Sequence, residues 1–333
     1  MVVFQALTWE TEDDDEKHLV HIFGKTCDGK SVCLTTEFKP YFFVKLPRED
    51  PKTWSVIWYN KICKIVPELV LDYSIAQYKD VWGFQNNENF YFMKIECQTL
   101  GDRRRVANKL KHKLPDEIVK LKVFESNLEP VLRLMHRTGI QSTGWLDTGD
   151  ECEVNDIAKV DIDLYCNNWN NLKPVDKPET APFVVASLDI ECNSSTGKFP
   201  DADIDGDCCF QIAVSLCKFG SDIPYDKTCF CYKQTDSDLE GCTLLSYDTE
   251  RGMLEAFSKY LTSKDIDIIT GWNIFGFDME YIMKRAEKTR CNRNFYKLSK
   301  LKYHTCKMVY KKLSSSALGD NDLKLLPIPG RFV

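Results

Sequence analysis

One stretch of the sequence constrains the fold more than any other: a nearly continuous apolar run that ends in two acidic residues. Residues 183–188 read Phe-Val-Val-Ala-Ser-Leu, and Asp189-Ile-Glu191 follows directly. A strand that is apolar at almost every position is typical of a sheet covered on both faces. Because side chains alternate along a strand, Asp189 and Glu191 point to the same side. We therefore predict a doubly covered strand over 183–188 that presents two carboxylates where it ends.

The residues after this run predict three more strands and two helices. Apolar residues at helical spacing indicate one helix over 249–261, with Asp248 as its N-cap, and another over 276–290. The predicted strands are 210–219, 228–234 and 265–271. This order of elements favours a mixed α/β sheet with helices packed on it.

The first half of the chain has mostly strand patterns with some helix. Asp28-Gly29 indicates a hairpin turn, and Gly139 is expected to stop a helix. The predicted strands are 18–26, 31–36, 41–46 and 89–97, and the predicted helices are 103–114 and 129–138.

The Asn- and Pro-rich stretch 167–182 lacks periodicity, which indicates a linker. We therefore expect a mixed α+β N-terminal domain over 1–166 and a second domain over 183–333. A chain of 333 residues is long enough for two domains of about 150 residues each.

Composition excludes several classes of protein. No apolar run approaches the roughly 20 residues that a membrane span needs. The 15 cysteines are odd in number and never spaced Cys-x-x-Cys, which argues against a structural zinc site and against a disulfide-stapled fold. They are typical of reduced thiols in an intracellular protein.

The net charge of −6 is unevenly distributed. Residues 284–312 contain eleven Lys or Arg and one acid, so this segment carries +10 and the remainder −16. A smaller basic cluster lies over 103–122. Charge alone favours two solvated helix faces. The alternative is contact with nucleic-acid phosphates, which would make binding sensitive to salt.

Three carboxylates are the candidate catalytic residues. Asp189 and Glu191 repel each other unless a cation lies between them, and Mg²⁺ is commonly held by carboxylates together with phosphate oxygens. Asp278 falls in the first turn of the second predicted helix, across a neighbouring strand. The alternatives are a solvated strand end for the first two and a helix-capping role for Asp278.

Two nearby residues are candidates for nucleic-acid binding. Asn273 and Phe277 would offer an amide and an aromatic face to an unpaired nucleotide. The acidic stretch 201–207 begins like a calcium-binding loop. Its twelfth position is Ile212, where a bidentate Glu is required, so we interpret it as an acidic loop.

Together these motifs resemble a known family. Asp189-Ile-Glu191, followed by Asn273-x-x-x-Phe277-Asp278, resembles the first two motifs of the proofreading 3′–5′ exonuclease of family B DNA polymerases, especially the delta type and its relatives in large DNA viruses. Further stretches that resemble this family are Phe38–Pro47, Phe124–Arg133 running on to Gly139 and Trp145, and Phe199-Pro200 leading to Gln211-Ile212.

The resemblance implies a ribonuclease H-like exonuclease domain after the N-terminal domain. It implies that Asp189, Glu191 and Asp278 hold two Mg²⁺ ions, which Mn²⁺ can replace, for hydrolysis of the 3′-terminal nucleotide. Asn273 and Phe277 would steer the single strand. Implied partners are the 3′ end of DNA, a primer-template, the rest of the polymerase chain and a sliding clamp or other processivity factor, in the nucleus or at a viral replication site.

The family's third exonuclease motif, Tyr-x-x-x-Asp, would follow Val333, as would palm, fingers and thumb. We therefore expect this chain to be the N-terminal portion of a DNA-directed DNA polymerase, weakly active or inactive as an exonuclease by itself. Two alternatives stay open. One is a stand-alone 3′–5′ exonuclease, and the other is a non-catalytic nucleic-acid-binding module.

Overall fold

The computed structural model of the chain describes residues 1–80, 83–111, 121–235, 240–315 and 319–333. Strands dominate the first half. They are β1 (Val3–Asp14), β2 (Lys17–Lys25), β3 (Ser31–Glu37), β4 (Tyr41–Lys45), β5 (Leu71–Tyr78), β6 (Phe90–Cys97), β7 (Val123–Phe124), β8 (Trp145–Asp147), β9 (Cys152–Val154), β10 (Ile162–Cys166) and β11 (Lys173–Val175).

These strands form two sheets in the described residues. One has the order β11-β8-β1-β2-β3-β10-β9 and the other β5-β6-β4-β7. Strands β2 and β3 pair antiparallel, which confirms the hairpin predicted at Asp28-Gly29. Strand β4 is buried on both faces, because Phe42 and Val44 enter one core cluster while Tyr41 and Phe43 enter another.

Several elements of this half were not predicted, and β1 and β11 are two of them. The long strand β1 runs into an acidic stretch, where Asp13 accepts hydrogen bonds from the backbone N–H groups of Leu100 (2.9 Å) and Gly101 (3.0 Å). Strand β11 lies inside the predicted linker 167–182 and pairs antiparallel with β8. Part of that linker therefore forms the edge of an N-terminal sheet.

The helices mostly follow the predicted apolar stripes. They are α1 (Pro51–Ile65), α2 (Leu100–Lys111), α3 (Pro130–Thr138), α4 (Glu250–Ser263), α5 (Asp278–Lys288) and α6 (Asn292–Phe295), with a 3₁₀ turn at Trp169–Asn171. Gly139, at φ 76°, ends α3 as predicted. The predicted end of the helix over 103–114, including Leu114, lies outside the described residues. None of the helices in the described part has the length and apolarity needed to cross a bilayer.

The N-cap of α4 differs by one residue from the prediction. Thr249, and not Asp248, accepts the hydrogen bond from the backbone N–H of Gly252, at 3.0 Å. Both residue types are good caps, so sequence alone could not separate neighbouring candidates.

The second half contains one mixed sheet and a two-stranded ribbon. The strands are β12 (Val184–Cys192), β13 (Cys209–Lys218), β14 (Asp226–Tyr232), β15 (Thr243–Tyr247), β16 (Ile268–Thr270), β17 (Val309–Ser315) and β18 (Gly319–Leu325). The mixed sheet has the order β15-β14-β13-β12-β16. Strand β12 pairs antiparallel with β13 and parallel with β16, which confirms the predicted mixed sheet.

Strand β12 is covered on one face over its second half, so the prediction of two covered faces is wrong there. Ala186, Leu188 and Ile190 enter the core, whereas Asp189 and Glu191 are exposed. A strict alternation of burial from residue 186 to residue 191 explains the pattern. The apolar residues at the start of the strand suggested that both faces are buried along its whole length, but only one face is buried at the end that carries the acids.

Candidate active site

The carboxylates of Asp189 and Glu191 lie on the exposed face of β12, on the same side as predicted. Their cross-strand partners on β13 are Ala213 and Gln211. Ala213 is itself exposed and carries only a methyl group. The surface beside Asp189 is therefore open.

A tight backbone approach brings the next segment to this strand. Strand β16 pairs with β12 only as far as Ser187, and Gly271 follows its last residue. A Cβ atom on Gly271 would lie 2.5 Å from the carbonyl oxygen of Leu188. Only glycine lets the chain turn away from the sheet at this distance.

The turn after Gly271 is organised by Asn273. Its backbone is left-handed, with φ 52°. Its carbonyl oxygen accepts hydrogen bonds from the backbone N–H groups of Gly276 (2.8 Å) and Phe277 (3.1 Å). Asparagine tolerates this conformation better than most residues. The turn ends where α5 begins, at Asp278.

Asp278 is 4% exposed, and its carboxylate lies near the backbone N–H of Ile190. Ile190 is the residue between Asp189 and Glu191, so the third carboxylate lies near the strand segment that carries the other two. Burial raises the pKa of Asp278, and the negative charge of Asp189 raises it further, while the nearby backbone N–H groups oppose both effects. The structure thus brings Asp278 next to Asp189.

The donor set of this site suits a hard divalent cation only in part. Carboxylate oxygens are the ligands that Mg²⁺ prefers, and a cation would relieve the repulsion between Asp189 and Asp278. However, among the described residues no group of three or more His, Cys, Asp or Glu side chains is close enough to hold a metal ion. The described residues alone therefore do not make a complete ligand set, and water or substrate oxygens would have to supply the remaining ligands of a cation bound here.

Aromatic rings lie beside the carboxylates. Phe277, directly before Asp278, contacts Phe199 (centroids 5.1 Å apart, 65° between planes) and Tyr281 (5.0 Å, 47°). Phe199 is 77% exposed and Trp272 is 92% exposed. Sequence reasoning named Phe199 only as part of the family resemblance and assigned neither residue a role in binding, although a large aromatic residue in a polar loop is the signal that could have indicated one.

The acidic loop over 201–207 folds around one of its own carboxylates. Asp207 is fully buried and accepts hydrogen bonds from the N–H and hydroxyl of Ser195 (both 2.6 Å) and from the N–H of Asp201 (3.0 Å). The Ser195 hydroxyl is the largest cause of the lowered pKa of Asp207. The loop is therefore an internally bonded turn, in line with the interpretation that it is not a calcium-binding loop.

A buried arginine ties this loop to the helices. Arg285 of α5 forms a two-pronged ion pair with Glu250 (2.7 and 2.5 Å) and donates to the carbonyl oxygens of Ala202 and Ile204 (both 2.9 Å). The prediction that the basic segment 284–312 forms a solvated helix face is therefore wrong at Arg285. Lys300, also in that segment, is buried as well.

Residues 121–332 match the family model described as DNA polymerase family B, exonuclease domain. This chain belongs to the family B DNA polymerases. The match covers more than half of the chain and confirms the resemblance predicted from Asp189-Ile-Glu191 and Asn273–Asp278.

Curated relatives in this family are viral and eukaryotic. The chain is 28% identical over 99% of its length to a DNA polymerase of Paramecium bursaria Chlorella virus NY2A, of which it covers 36%. It is likewise 28% identical over 99% of its length to the DNA polymerase delta catalytic subunit of Schizosaccharomyces pombe, covering 32% of that protein. A mimivirus DNA polymerase is 27% identical over 85% of the chain. The chain thus spans about a third or less of these relatives.

A solved structure shares the fold. The family B DNA polymerase from Pyrobaculum calidifontis matches 89% of this chain with a TM-score of 0.65 and 18% identity, and the match covers 34% of that polymerase. The mixed sheet with flanking helices is therefore the ribonuclease H-like fold of the family's exonuclease domain, preceded by mixed α+β structure.

Proposed function

We propose that this chain contains the 3′–5′ exonuclease unit of a replicative DNA polymerase, which removes the 3′-terminal nucleotide of DNA by metal-dependent hydrolysis. The observation that carries the proposal is the position of Asp278, whose buried carboxylate lies near the backbone of Ile190 and close enough to Asp189 for that charge to raise its pKa. If Asp278 served only to cap helix α5, nothing would favour placing a second acid, Asp189, beside it.

In this proposal Asp189 and Asp278 hold a divalent cation together, and Glu191 orients the attacking water. Mg²⁺ is the expected ion, and Mn²⁺ can replace it. When bound, such an ion supplies Lewis-acid stabilisation of the phosphate charge and a more acidic water. A second ion would require ligands beyond those that the described residues bring together, so we expect this chain by itself to be weakly active or inactive.

The residues beside the carboxylates would bind the frayed strand. Phe277 and Phe199 contact each other, and unpaired bases can stack on the faces of their rings independently of base sequence. Asn273, exposed at the start of the turn, would contribute a polar contact to the same strand.

The wider assignment is also a proposal. It comprises an N-terminal domain over 1–166, a linker over 167–182 and an exonuclease domain over 183–333. Proofreading of a primer-template, nucleotide addition by other polymerase segments, contact with a processivity factor, and work in a nucleus or at a viral replication site follow from what the relatives are called, not from the geometry of this chain.

Calorimetric titration of the full chain with Mn²⁺ tests the cation site. We expect Asp189→Asn and Asp278→Asn each to weaken uptake by about tenfold or more, which corresponds to about 1.4 kcal/mol. Asp222→Asn is the matched control, because it removes an exposed carboxylate in the turn after β13, at the far end of the sheet. Equal uptake by all three variants would contradict the proposal.

A second assay separates the alternatives. Shortening of a 5′-labelled single-stranded oligonucleotide, followed on a sequencing gel, shows whether nucleotides leave from the 3′ end. Fast degradation that Asp189→Asn abolishes would favour the stand-alone exonuclease and contradict the incomplete site. Oligonucleotide binding with no carboxylate-dependent uptake of Mn²⁺ would favour the non-catalytic binding module.

A further inference from the structure

Two lysines and two aspartates form a closed charge cluster at the opposite end of the exonuclease sheet. Lys25 Nζ lies 2.9 Å from Asp265 Oδ2 and 2.7 Å from Asp267 Oδ2. Lys300 Nζ lies 3.0 Å from Asp265 Oδ1 and 2.7 Å from Asp267 Oδ1. Two lysines therefore contact two aspartates, and the buried Arg331 lies near enough for both aspartates to act on its pKa. We refer to the two lysines and two aspartates as the lysine–aspartate cluster.

Three of the four members are buried, Asp265 is 36% exposed, and the members come from distant parts of the chain. The side chains of Lys25, Asp267 and Lys300 are 2%, 2% and 3% exposed. Burial by itself would lower the pKa of Lys25, but the two carboxylates raise it above the ordinary value. Lys25 is the last residue of β2, in an N-terminal sheet, so the exonuclease sheet takes one of its two balancing cations from outside its own half.

Asp267 connects the cluster to the strand that carries the catalytic acids. Its N–H donates to the carbonyl oxygen of Val184 (2.9 Å), and its Oδ2 accepts from the N–H of Val184 (2.8 Å). Its own carbonyl oxygen accepts from the N–H of Phe332 (2.8 Å). These three bonds fix where β16 begins relative to the first residue of β12.

The register of β16 decides where Asp278 lies. Strand β16 has only three residues, Ile268–Thr270, and they pair with Val185–Ser187. A strand this short has little pairing energy to hold its register, and a one-residue slip would turn every side chain to the other face. Because the turn after Gly271 follows directly, a shift of β16 would carry Asp278 away from Asp189.

We infer that Lys25 is a positioning residue for the exonuclease site: together with Lys300 it pairs with Asp265 and the buried Asp267, and so holds β16 in the register that places Asp278 beside Asp189. This inference rests on the proposed function only in what it says about metal uptake. What it says about the register of β16 stands on the contacts alone.

Removing one member of a buried, paired cluster leaves an uncompensated charge, which is far more costly than removing a neutral pair. Lys25→Met should leave both aspartates in contact with a single lysine. Lys25→Met combined with Asp265→Asn leaves Lys300 opposite Asp267 as a one-to-one ion pair. The double variant should therefore behave more like the wild type than the single variant does.

Hydrogen–deuterium exchange of the full chain, read by mass spectrometry, tests the register of β16 without any activity. We expect Lys25→Met to speed amide exchange over 268–278 about tenfold. The same variant should weaken the affinity for Mn²⁺ about tenfold, which corresponds to about 1.4 kcal/mol. The double variant and Lys25→Arg should recover most of both losses. Lys302→Met is the matched control, because Lys302 pairs with the exposed Asp156.

The outcomes are distinguishable. Wild-type exchange over 268–278 in Lys25→Met would overturn the inference, and so would a double variant no better than the single one, since Lys25 would then act through packing and not charge. If Lys25→Met does not fold, the double variant still decides, because it must fold if charge balance is what matters. Mn²⁺ uptake that Asp189→Asn leaves unchanged would instead contradict the proposed function.

Discussion

The two ends of the exonuclease sheet carry similar acids in opposite situations. At one end, Asp265 and Asp267 are paired with two lysines of the chain itself. At the other end, Asp189 and Asp278 have each other as neighbours, and within the described residues neither of them forms an ion pair with a lysine, arginine or histidine. The chain supplies its own cations at the first end, and at the second end it leaves the negative charge unbalanced, where we propose that an external cation binds.

The electrostatic consequences of this difference run in opposite directions. The lysines lower the pKa of Asp265 against the effect of burial, so its ionised form is favoured in the folded state. Burial and Asp189 raise the pKa of Asp278, so its ionised form is disfavoured. Acids at a functional site are expected to show this second pattern.

The strongest test of the comparison removes a carboxylate from the paired end. Asp267→Ala should destabilise the fold by about 3–5 kcal/mol, because it leaves two lysines facing one acid in a buried position. Guanidinium unfolding measures the change. Asp156→Ala, which removes an exposed partner of Lys302, should cost less than about 0.5 kcal/mol. Equal costs for the two variants would show that the cluster is not electrostatically special.

A smaller effect is expected from backbone crowding at the functional end. Gly271→Ala would place a Cβ atom 2.5 Å from the carbonyl oxygen of Leu188, so the turn must move away from β12. We expect a loss of about 1–3 kcal/mol in unfolding free energy, together with weaker Mn²⁺ uptake. Gly101→Ala, whose Cβ would meet side-chain atoms no closer than 3.6 Å, is the control. Unchanged metal uptake in Gly271→Ala would separate the turn from the site.

Binding of single-stranded DNA should depend on the aromatic rings of Phe277 and Phe199. Phe277→Leu should reduce the affinity for a short oligonucleotide by about 1–3 kcal/mol if a base stacks on its ring. Fluorescence anisotropy measures the affinity. Phe219→Leu, an exposed phenylalanine after the far end of β13, should leave it unchanged. A comparable loss in both variants would assign the binding to general hydrophobicity.

The smallest expected effect is a gain in stability. Because the folded state raises the pKa of Asp278 above its ordinary value of 3.8, ionisation of this group opposes folding. Wild-type stability should therefore fall as the pH rises from 3.8 through the raised pKa, and Asp278→Asn should remove that decline. We expect the metal-free variant to be more stable at neutral pH by on the order of 1 kcal/mol or less. A less stable variant would contradict the predicted sign.

Asp265 should titrate in the opposite sense. Its lowered pKa means that its contribution to stability is present above 3.8 and is lost as the pH falls through the lower, folded-state value. Asp265→Asn should therefore flatten the acid limb of the stability curve, whereas Asp278→Asn removes a decline at higher pH. Thermal melts across the acid range would show both effects.

Local patterns in the sequence were enough to predict much of the site. Alternation along a strand placed Asp189 and Glu191 on one side, and helical spacing put Asp278 in the first turn of a helix, which it in fact begins. Strand pairing was less accessible. Strand β15 was not predicted, and β16 proved shorter than the expected 265–271, because its edges depend on contacts with β12.

Charge was the least predictable property. The basic segment 284–312 appeared to be a solvated face, but Arg285 pairs with Glu250 in the core and Lys300 with Asp267. Lys25 meets Asp265 from 240 residues away. Nothing in the composition of a local window distinguishes a lysine in solvent from one that neutralises a buried acid elsewhere in the chain.

Helix α5 connects the Asp278 carboxylate to the acidic loop over 201–207. The helix begins at Asp278, and seven residues later Arg285 donates hydrogen bonds to two carbonyl oxygens of that loop. Positions seven apart lie on one face of a helix, so Asp278 and the residue that holds the loop are fixed relative to each other by the same helix. An insertion or deletion within that loop would therefore be expected to displace the Asp278 carboxylate through the helix.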